Sequence, residues 1–140
     1  MAKTEPLATL VDTNVLVDVI TGDDKWFEWS AVALESAAGA GPLAINQVIY
    51  SEVSARFSRI DDLDEALPHD DYVRLDLPWS AAFLAGKCFN DYRRRGGLKR
   101  SPLPDFYIGA HAAVQNLRLL TRDAARYRTY FPTVEIFAPD

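Results

Sequence analysis

The stretch Leu7-Ala8-Thr9-Leu10-Val11-Asp12-Thr13-Asn14 decides how this chain is read. An apolar, β-prone run stops abruptly at an acid, and two polar residues suited to capping a helix follow. Strands buried on both faces read as continuous runs of this kind, and open α/β sheets bind ligands beyond the carboxyl ends of their strands. Asp12 therefore stands where such a fold does chemistry.

Working outward, Asn14 to Ile20 is rich in β-branched residues, and Thr13-Asn14 with Thr21-Gly22-Asp23-Asp24 predicts a short helical turn and then a loop. Trp26 to Ala38 has helical spacing and ends at Gly39-Ala40-Gly41-Pro42. Leu43-Ala44-Ile45 is a second short strand, and Gln47 to Phe57 repeats Ile49, Val53 and Phe57 every four residues, as a helix does. Ile60 to Leu67 is an acidic helix bounded by Pro68. Its acids Asp61, Asp62, Asp64 and Glu65 form a solvated face, because adjacent helix positions do not face one another. Tyr72 to Asp76 alternates like an exposed strand. Pro78 opens a long helix to about Arg95, with Gly96-Gly97 as its stop. A basic loop from Leu98 to Pro104 leads into a helix from Asp105 to about Gln115. Leu117 to Leu120 is a strand, Ala124 to Tyr130 a short helix, and Val134 to Phe137 the last strand. This alternation predicts one α/β layered domain, residues 1–140, around a mainly parallel sheet.

Composition narrows the chemistry. A chain of 140 residues, 49% hydrophobic, has enough apolar material for a substantial core. The single cysteine, Cys88, excludes an intrachain disulfide, and with only His69 and His111 no zinc set of Cys and His can be assembled. The N-terminus lacks signal-peptide anatomy, and Asp12 and Asp18 interrupt the first apolar run too early for a membrane span, so a cytoplasmic protein is expected. The net charge of −5 is unevenly spread. Arg93, Arg94, Arg95, Lys99, Arg100, Arg118, Arg122, Arg126 and Arg128 crowd into residues 93–128, where Asp105 and Asp123 stand as two isolated acids. A polyanion site with metal-binding carboxylates inside it would look like this, as would a solvated basic face. Arg93, Arg94, Arg95, Lys99 and Arg100 beside two glycines suit a flexible segment that tracks phosphates.

Four acids fall at strand ends or helix starts: Asp12 and Asp123 after apolar strands, Asp105 at the opening of a helix, and Glu52 on the helix after the second strand. Carboxylates brought together repel one another, and a hard divalent cation such as Mg²⁺ or Mn²⁺ relieves this. Such a metal activates water against a phosphodiester without any His or Cys. Each acid also has a plainer role open to it: a helix cap for Asp12 or Asp123, a favourable helix start for Asp105, an exposed helix position for Glu52. His111 lies about 240° around the helix from Asp105 and is read as structural. Trp79, Phe83 and Tyr92, at helical spacing, are read as core or as a subunit contact.

Leu-Val-Asp12-Thr-Asn-Val-Leu, Tyr50-Ser-Glu52-Val, Pro104-Asp105-Phe-Tyr-Ile-Gly-Ala-His111-Ala and Leu-Leu-Thr121-Arg-Asp123 together resemble a PIN-domain ribonuclease, and in particular the VapC-type toxins of toxin–antitoxin pairs. The resemblance runs from about Leu7 to Phe137. It implies a three-layer α/β/α sandwich with a mainly parallel sheet of about five strands, and an acidic quartet on Asp12, Glu52, Asp105 and Asp123. By the same resemblance, Asp12, Asp105 and Asp123 hold Mg²⁺ or Mn²⁺, and Glu52 completes the metal shell or positions water. Asn14 and Thr121 orient the carboxylates. The family often has Ala where this chain has Gly109, which permits closer packing here. The implied activity is cleavage of RNA, and the implied partners are a VapB-type antitoxin and a second copy of the chain, with the Trp79–Tyr92 helix as the dimer contact. Two other classes compete. A PIN fold kept only for binding is opposed by the presence of all four acids. An aspartate-nucleophile phosphatase needs a second Asp where Asn14 stands, and a phosphoacceptor module needs a Lys late in the chain, whereas Lys99 is the last.

Overall fold

The opening run forms β1, Thr9–Val11, with all three side chains buried. Asp12 ends it in extended conformation and accepts a hydrogen bond from the Thr13 N–H at 2.8 Å, so the acid that closes the strand also caps α1, Thr13–Thr21. This helix is longer than the single turn expected from its β-branched residues. Val15 and Leu16 are fully buried in it, and burial with a good cap outweighs a propensity difference of a few tenths of a kcal/mol per residue. Gly22, at φ 64°, ends α1 in the left-handed conformation that costs glycine least.

The computed structural model describes residues 5–100 and 103–139. The remaining elements are α2 (Phe27–Ala40), β2 (Leu43–Ile45), α3 (Gln47–Ser54), α4 (Ile60–Ala66), β3 (Tyr72–Arg74), α5 (Trp79–Arg94), α6 (Pro104–Gln115), β4 (Arg118–Leu120), α7 (Ala125–Tyr130) and β5 (Ile136–Phe137). Every strand pair is parallel, in the order β3-β2-β1-β4-β5. The sheet is thus wholly rather than mainly parallel. Leu10 lies between Ala44 of β2 and Leu119 of β4 in register.

That order fixes the layers. Connections from β1 through β2 to β3 step one way across the sheet, whereas those from β3 to β4 and on to β5 step the other way. Right-handed crossovers then put α1 to α4 on one face and α5 to α7 on the other. The contacts agree: α1 packs on α2 and α3, and α6 packs on α5 and α7. The direction reverses between β1 and β4, and at such a switch point the loops beyond the strand ends part to leave a crevice. Asp12 follows β1 there and Thr121 follows β4.

Leu10, Val11, Leu16, Ile45, Ile49, Leu119 and Leu120 form the centre of the core, with Phe106 and Tyr127 closing the α6 side. Gly109 lets α6 and α7 meet closely: a Cβ there would stand 2.3 Å from the Phe131 ring, so this glycine permits the tight packing expected of it. Two readings change. Trp79 and Phe83 are 92% and 68% exposed, which removes the core alternative for them and leaves the subunit contact open, while Tyr92 is half-buried against Phe89 and Phe106. Arg93 and Arg94 form the last turn of α5 rather than a flexible segment, and positions 101–102 of the basic loop lie outside the described residues. No described helix is long and apolar enough to cross a membrane.

Candidate active site

Three elements converge on Asp12. Its carboxylate is 4% exposed. Its Oδ2 accepts from the Thr121 hydroxyl at 2.9 Å, from the Tyr127 hydroxyl at 2.9 Å and from Asn14 Nδ2 at 3.4 Å. Asn14 also donates to Thr121 Oγ1 at 3.2 Å, and its Oδ1 accepts from the Arg122 N–H at 3.3 Å. Asn14 and Thr121 thus hold one oxygen of Asp12 in place from the start of α1 and the end of β4.

Asp105 enters from the other face. Pro104 occupies the first position of α6, where its missing N–H is no loss, and Asp105 lies in the first turn at the positive end of the helix. Its Oδ1 is 3.2 Å from the Tyr127 hydroxyl, and its Oδ2 pairs with Arg126 Nη1 at 3.1 Å. One phenol therefore spans the carboxylates that close β1 and open α6. Glu52, on α3, accepts from the Thr13 hydroxyl at 2.7 Å. It also lines an open groove of about 300 Å³ with Gln47, Val48, Ser51, Pro104 and Tyr107.

The electrostatics follow from burial. Asp12 is pushed up to about 6, first by desolvation and then by the nearby Asp105 charge, and the hydrogen bonds from Thr121, Tyr127 and Thr13 offset only part of this. Burial also raises Glu52, with Asp105 adding to it and the Thr13 hydroxyl opposing it. The Tyr127 phenol is held well above its ordinary range, chiefly by burial and then by Asp12 and Asp105. Among the described residues, three carboxylates thus crowd one crevice and the one ion pair they make is that of Asp105 with the half-exposed Arg126.

Asp123 stands apart. It is exposed, its N–H donates to Thr121 Oγ1 at 3.1 Å, and its carboxylate joins none of the hydrogen bonds linking Asp12, Asp105 and Tyr127. Among the described residues no three Asp, Glu, His or Cys side chains are grouped so as to hold a metal ion. The donor set still fits a hydrated Mg²⁺ or Mn²⁺. Mg²⁺ needs only one or two carboxylates beside its waters, and Asp12 and Asp105 are hard oxygen donors whose mutual repulsion a cation relieves.

His111 is fully buried in α6, and its partners are Asn46 and Gln115 rather than any of these carboxylates. The Ile49 N–H donates to Asn46 Oδ1 at 3.0 Å, which turns the Asn46 amide towards His111 Nδ1, also at 3.0 Å. Nδ1 must then accept, so Nε2 carries the hydrogen and donates to Gln115 Oε1 at 2.8 Å. Burial lowers the His111 pKa and keeps the ring neutral. It ties α6 to the start of α3, the structural role expected of it.

The sequence does not signal the roles of Tyr127 and Arg126, the Thr13–Glu52 contact or the pairing of Arg122 with Asp18. Arg122 Nε and Nη2 meet the Asp18 carboxylate at 2.8 and 3.2 Å, and Ser30 donates to it at 2.8 Å. Helical spacing alone signals that Tyr127 lies on the same short helix as Arg126. Nothing in the sequence says where that helix points.

A sequence model of the PIN domain matches residues 9–132. The chain belongs to the PIN domain family. The PIN fold also links it to solved structures of low sequence identity. A chain of VapBC2 from Rickettsia felis, solved bound to a DNA fragment from their promoter, superposes with TM-score 0.70 at 18% identity, covering 95% of this chain and 99% of that one. VapBC-1 from nontypeable Haemophilus influenzae gives 0.69 at 15% identity, with 94% and 97% covered. FitAcB from Neisseria gonorrhoeae gives 0.68 at 18% identity, with 92% and 96% covered. No curated protein matches by sequence.

Proposed function

We propose that this PIN domain, with the whole chain of 140 residues as one unit, is a metal-dependent endoribonuclease and the toxin of a toxin–antitoxin pair acting in the cytoplasm. The observation that carries the reading is the pair Asp12 and Asp105, drawn to one hydroxyl at the switch point of the sheet with Glu52 beside them. Asp12 and Asp105 hold Mg²⁺ or Mn²⁺, and Asp123 joins them directly or through water. Bound there, the cation supplies Lewis acidity towards water and towards the phosphoryl oxygens. Glu52, steadied by Thr13, would accept the proton that the attacking water loses as its oxygen bonds to phosphorus, and the P–O ester bond that breaks releases an oxygen that takes a proton from solvent. Arg93, Arg94, Arg95, Lys99 and Arg100 carry the RNA strand by its phosphates.

The partner reading draws on the structural neighbours, which come from VapBC and FitAB complexes. A VapB-type antitoxin covers the acidic crevice and offers cationic side chains to it. A second copy of the chain packs on α5 through the exposed Trp79 and Phe83. Expression of the chain alone is expected to arrest bacterial growth, and Asp12→Asn or Asp105→Asn to abolish the arrest. Purified protein should cut RNA with Mg²⁺ or Mn²⁺ and stop with chelator. Folded Asp12→Asn and Asp105→Asn proteins that still cut RNA overturn the reading.

A further inference from the structure

The hydroxyl of Tyr127 has no evident structural task. The ring is 1% exposed and would fill its place in the core as phenylalanine. Among the described residues the hydroxyl meets two groups only, Asp12 Oδ2 at 2.9 Å and Asp105 Oδ1 at 3.2 Å. These carboxylates belong to elements on opposite faces of the sheet, the cap of α1 and the first turn of α6. Two ionised carboxylates offer each other no hydrogen, and the one O–H between them donates to either Asp12 or Asp105 at a time, so the phenol is the single donor that the two share. Thr121 and Asn14 hold only Asp12, and Arg126 holds only Asp105. Tyr127 is the one side chain described here that touches both.

Burying a phenol between two acids is costly unless the contact serves something. The position of the ring is secured independently of the hydroxyl. Residue 127 lies on α7, and the Phe131 N–H donates to the Tyr127 carbonyl at 2.8 Å. Phe131 in turn sits where a Cβ on Gly109 would clash, so close packing seats α7 against α6, and the Arg126–Asp105 ion pair holds the two helices together without the Tyr127 hydroxyl.

We propose that Tyr127 is a positioning residue whose hydroxyl sets the separation and orientation of Asp12 and Asp105 for a divalent cation. The inference rests on the metal-dependent reading above and adds to it a residue that coordinates nothing itself. Partners that orient metal-binding carboxylates in this way are typically worth about 10- to 100-fold in metal affinity.

The test is Mn²⁺ binding by calorimetry in the absence of RNA, for the wild type and Tyr127→Phe, with thermal melts of both. Tyr127→Phe is expected to melt close to the wild type and to bind Mn²⁺ about 10- to 100-fold more weakly. Its cleavage should then recover at saturating Mn²⁺, raising the metal requirement more than it lowers kcat. A Tyr127→Phe protein that binds Mn²⁺ as tightly as the wild type overturns the inference and leaves the nuclease reading intact. A wild type that takes up no Mn²⁺ overturns both. If Tyr127→Phe does not fold, the wild type with ¹³Cζ-labelled tyrosine decides. The Tyr127 signal is expected to shift on Mg²⁺ titration with the midpoint of metal binding, and an unmoved signal overturns the inference.

Discussion

Asp12 and Asp18 stand at the two ends of α1, both buried, and the fold meets their charges in opposite ways. Asp18 is 1% exposed and fully answered: Arg122 grips both its oxygens and Ser30 adds a third hydrogen bond. Asp12 receives only neutral donors, Thr121, Tyr127, Asn14 and the Thr13 N–H, and faces a second acid, Asp105. A buried acid with its own arginine is finished as structure. A buried acid left with neutral donors and an anionic neighbour is one whose charge a cation would relieve, and the proposed function gives Asp12 that use. On the proposed reading, one helix therefore separates a residue of stability from a residue of function, with five residues between them.

The contrast breaks most visibly in activity. Asp12→Asn is expected to lower RNA cleavage by about 1,000-fold, the scale of losing a few kcal/mol of charge stabilisation on the phosphoryl group. Asp18→Asn should leave cleavage per folded molecule within about threefold of the wild type. Initial rates on one RNA substrate, corrected for the folded fraction, compare the two. Equal losses would end the distinction.

Stability should run the other way. Asp18→Asn leaves Arg122 without its anion and is expected to destabilise the protein by about 3 kcal/mol, at the lower end for a broken buried pair because Arg122 is about a third exposed. Urea denaturation at pH 7 in chelator measures it. A loss below about 1 kcal/mol would mean that Ser30 and the Arg122–Trp26 stacking already hold the region.

Asp12 supplies the matching pH test. Its folded pKa of about 6 lies above the ordinary aspartate value of 3.8, so the folded state holds the proton more tightly than the unfolded chain does. Its favourable contribution is full below about 3.8, is lost as pH rises through about 6, and leaves a cost of up to about 3 kcal/mol when ionised. Asp12→Asn does not titrate there. In chelator, the stability of Asp12→Asn relative to the wild type should therefore rise between pH 4 and pH 7, and then shrink when Mn²⁺ is added. Parallel stability curves would show that Asp12 carries no such strain.

The sequence separated these acids only in part. Asp12 and Asp105 were legible because a strand end and a proline-led helix start leave a carboxylate at the mouth of the sheet, whatever the details of packing. The layered α/β fold was legible for the same reason: short apolar strands and helical spacing are local properties. The full length of α1 was not, since its β-branched residues argue locally for a strand and only core burial makes it a helix. Tyr127 was not, because its meeting with two carboxylates depends on the direction of α7, which Gly109 and Phe131 set through packing. Arg122 misled: counted as one of nine cations awaiting a polyanion, it is the partner of Asp18. Arg126 likewise faces Asp105, and Arg95 pairs with Asp91 at 3.2 Å.

That last correction predicts an unequal basic segment, with the smallest effect of those considered. Arg93 Nη1 donates to the Lys99 carbonyl at 2.6 Å, and Arg95 is tied to Asp91 while lying over the Tyr130 ring. Of the three arginines at the end of α5, Arg94 has neither the carbonyl contact of Arg93 nor the ion pair of Arg95 among the described residues, so its charge is the most available of the three to a phosphate. Each phosphate contact on a single strand contributes about 0.7 to the slope of log affinity against log salt. Arg94→Gln should flatten the slope by about 0.7, which is roughly a threefold change in affinity over a fourfold change in salt. Arg95→Gln should flatten it less, because losing Arg95 also frees the Asp91 carboxylate to repel the strand without removing a full contact. Filter binding of inactive Asp12→Asn protein to RNA across salt concentrations measures both. A larger slope change from Arg95 than from Arg94 would mean that RNA displaces Asp91. An unchanged slope after neutralising Arg93, Arg94 and Arg95 together would take the end of α5 out of the RNA path, leaving the acidic crevice to be fed from the groove beside Glu52.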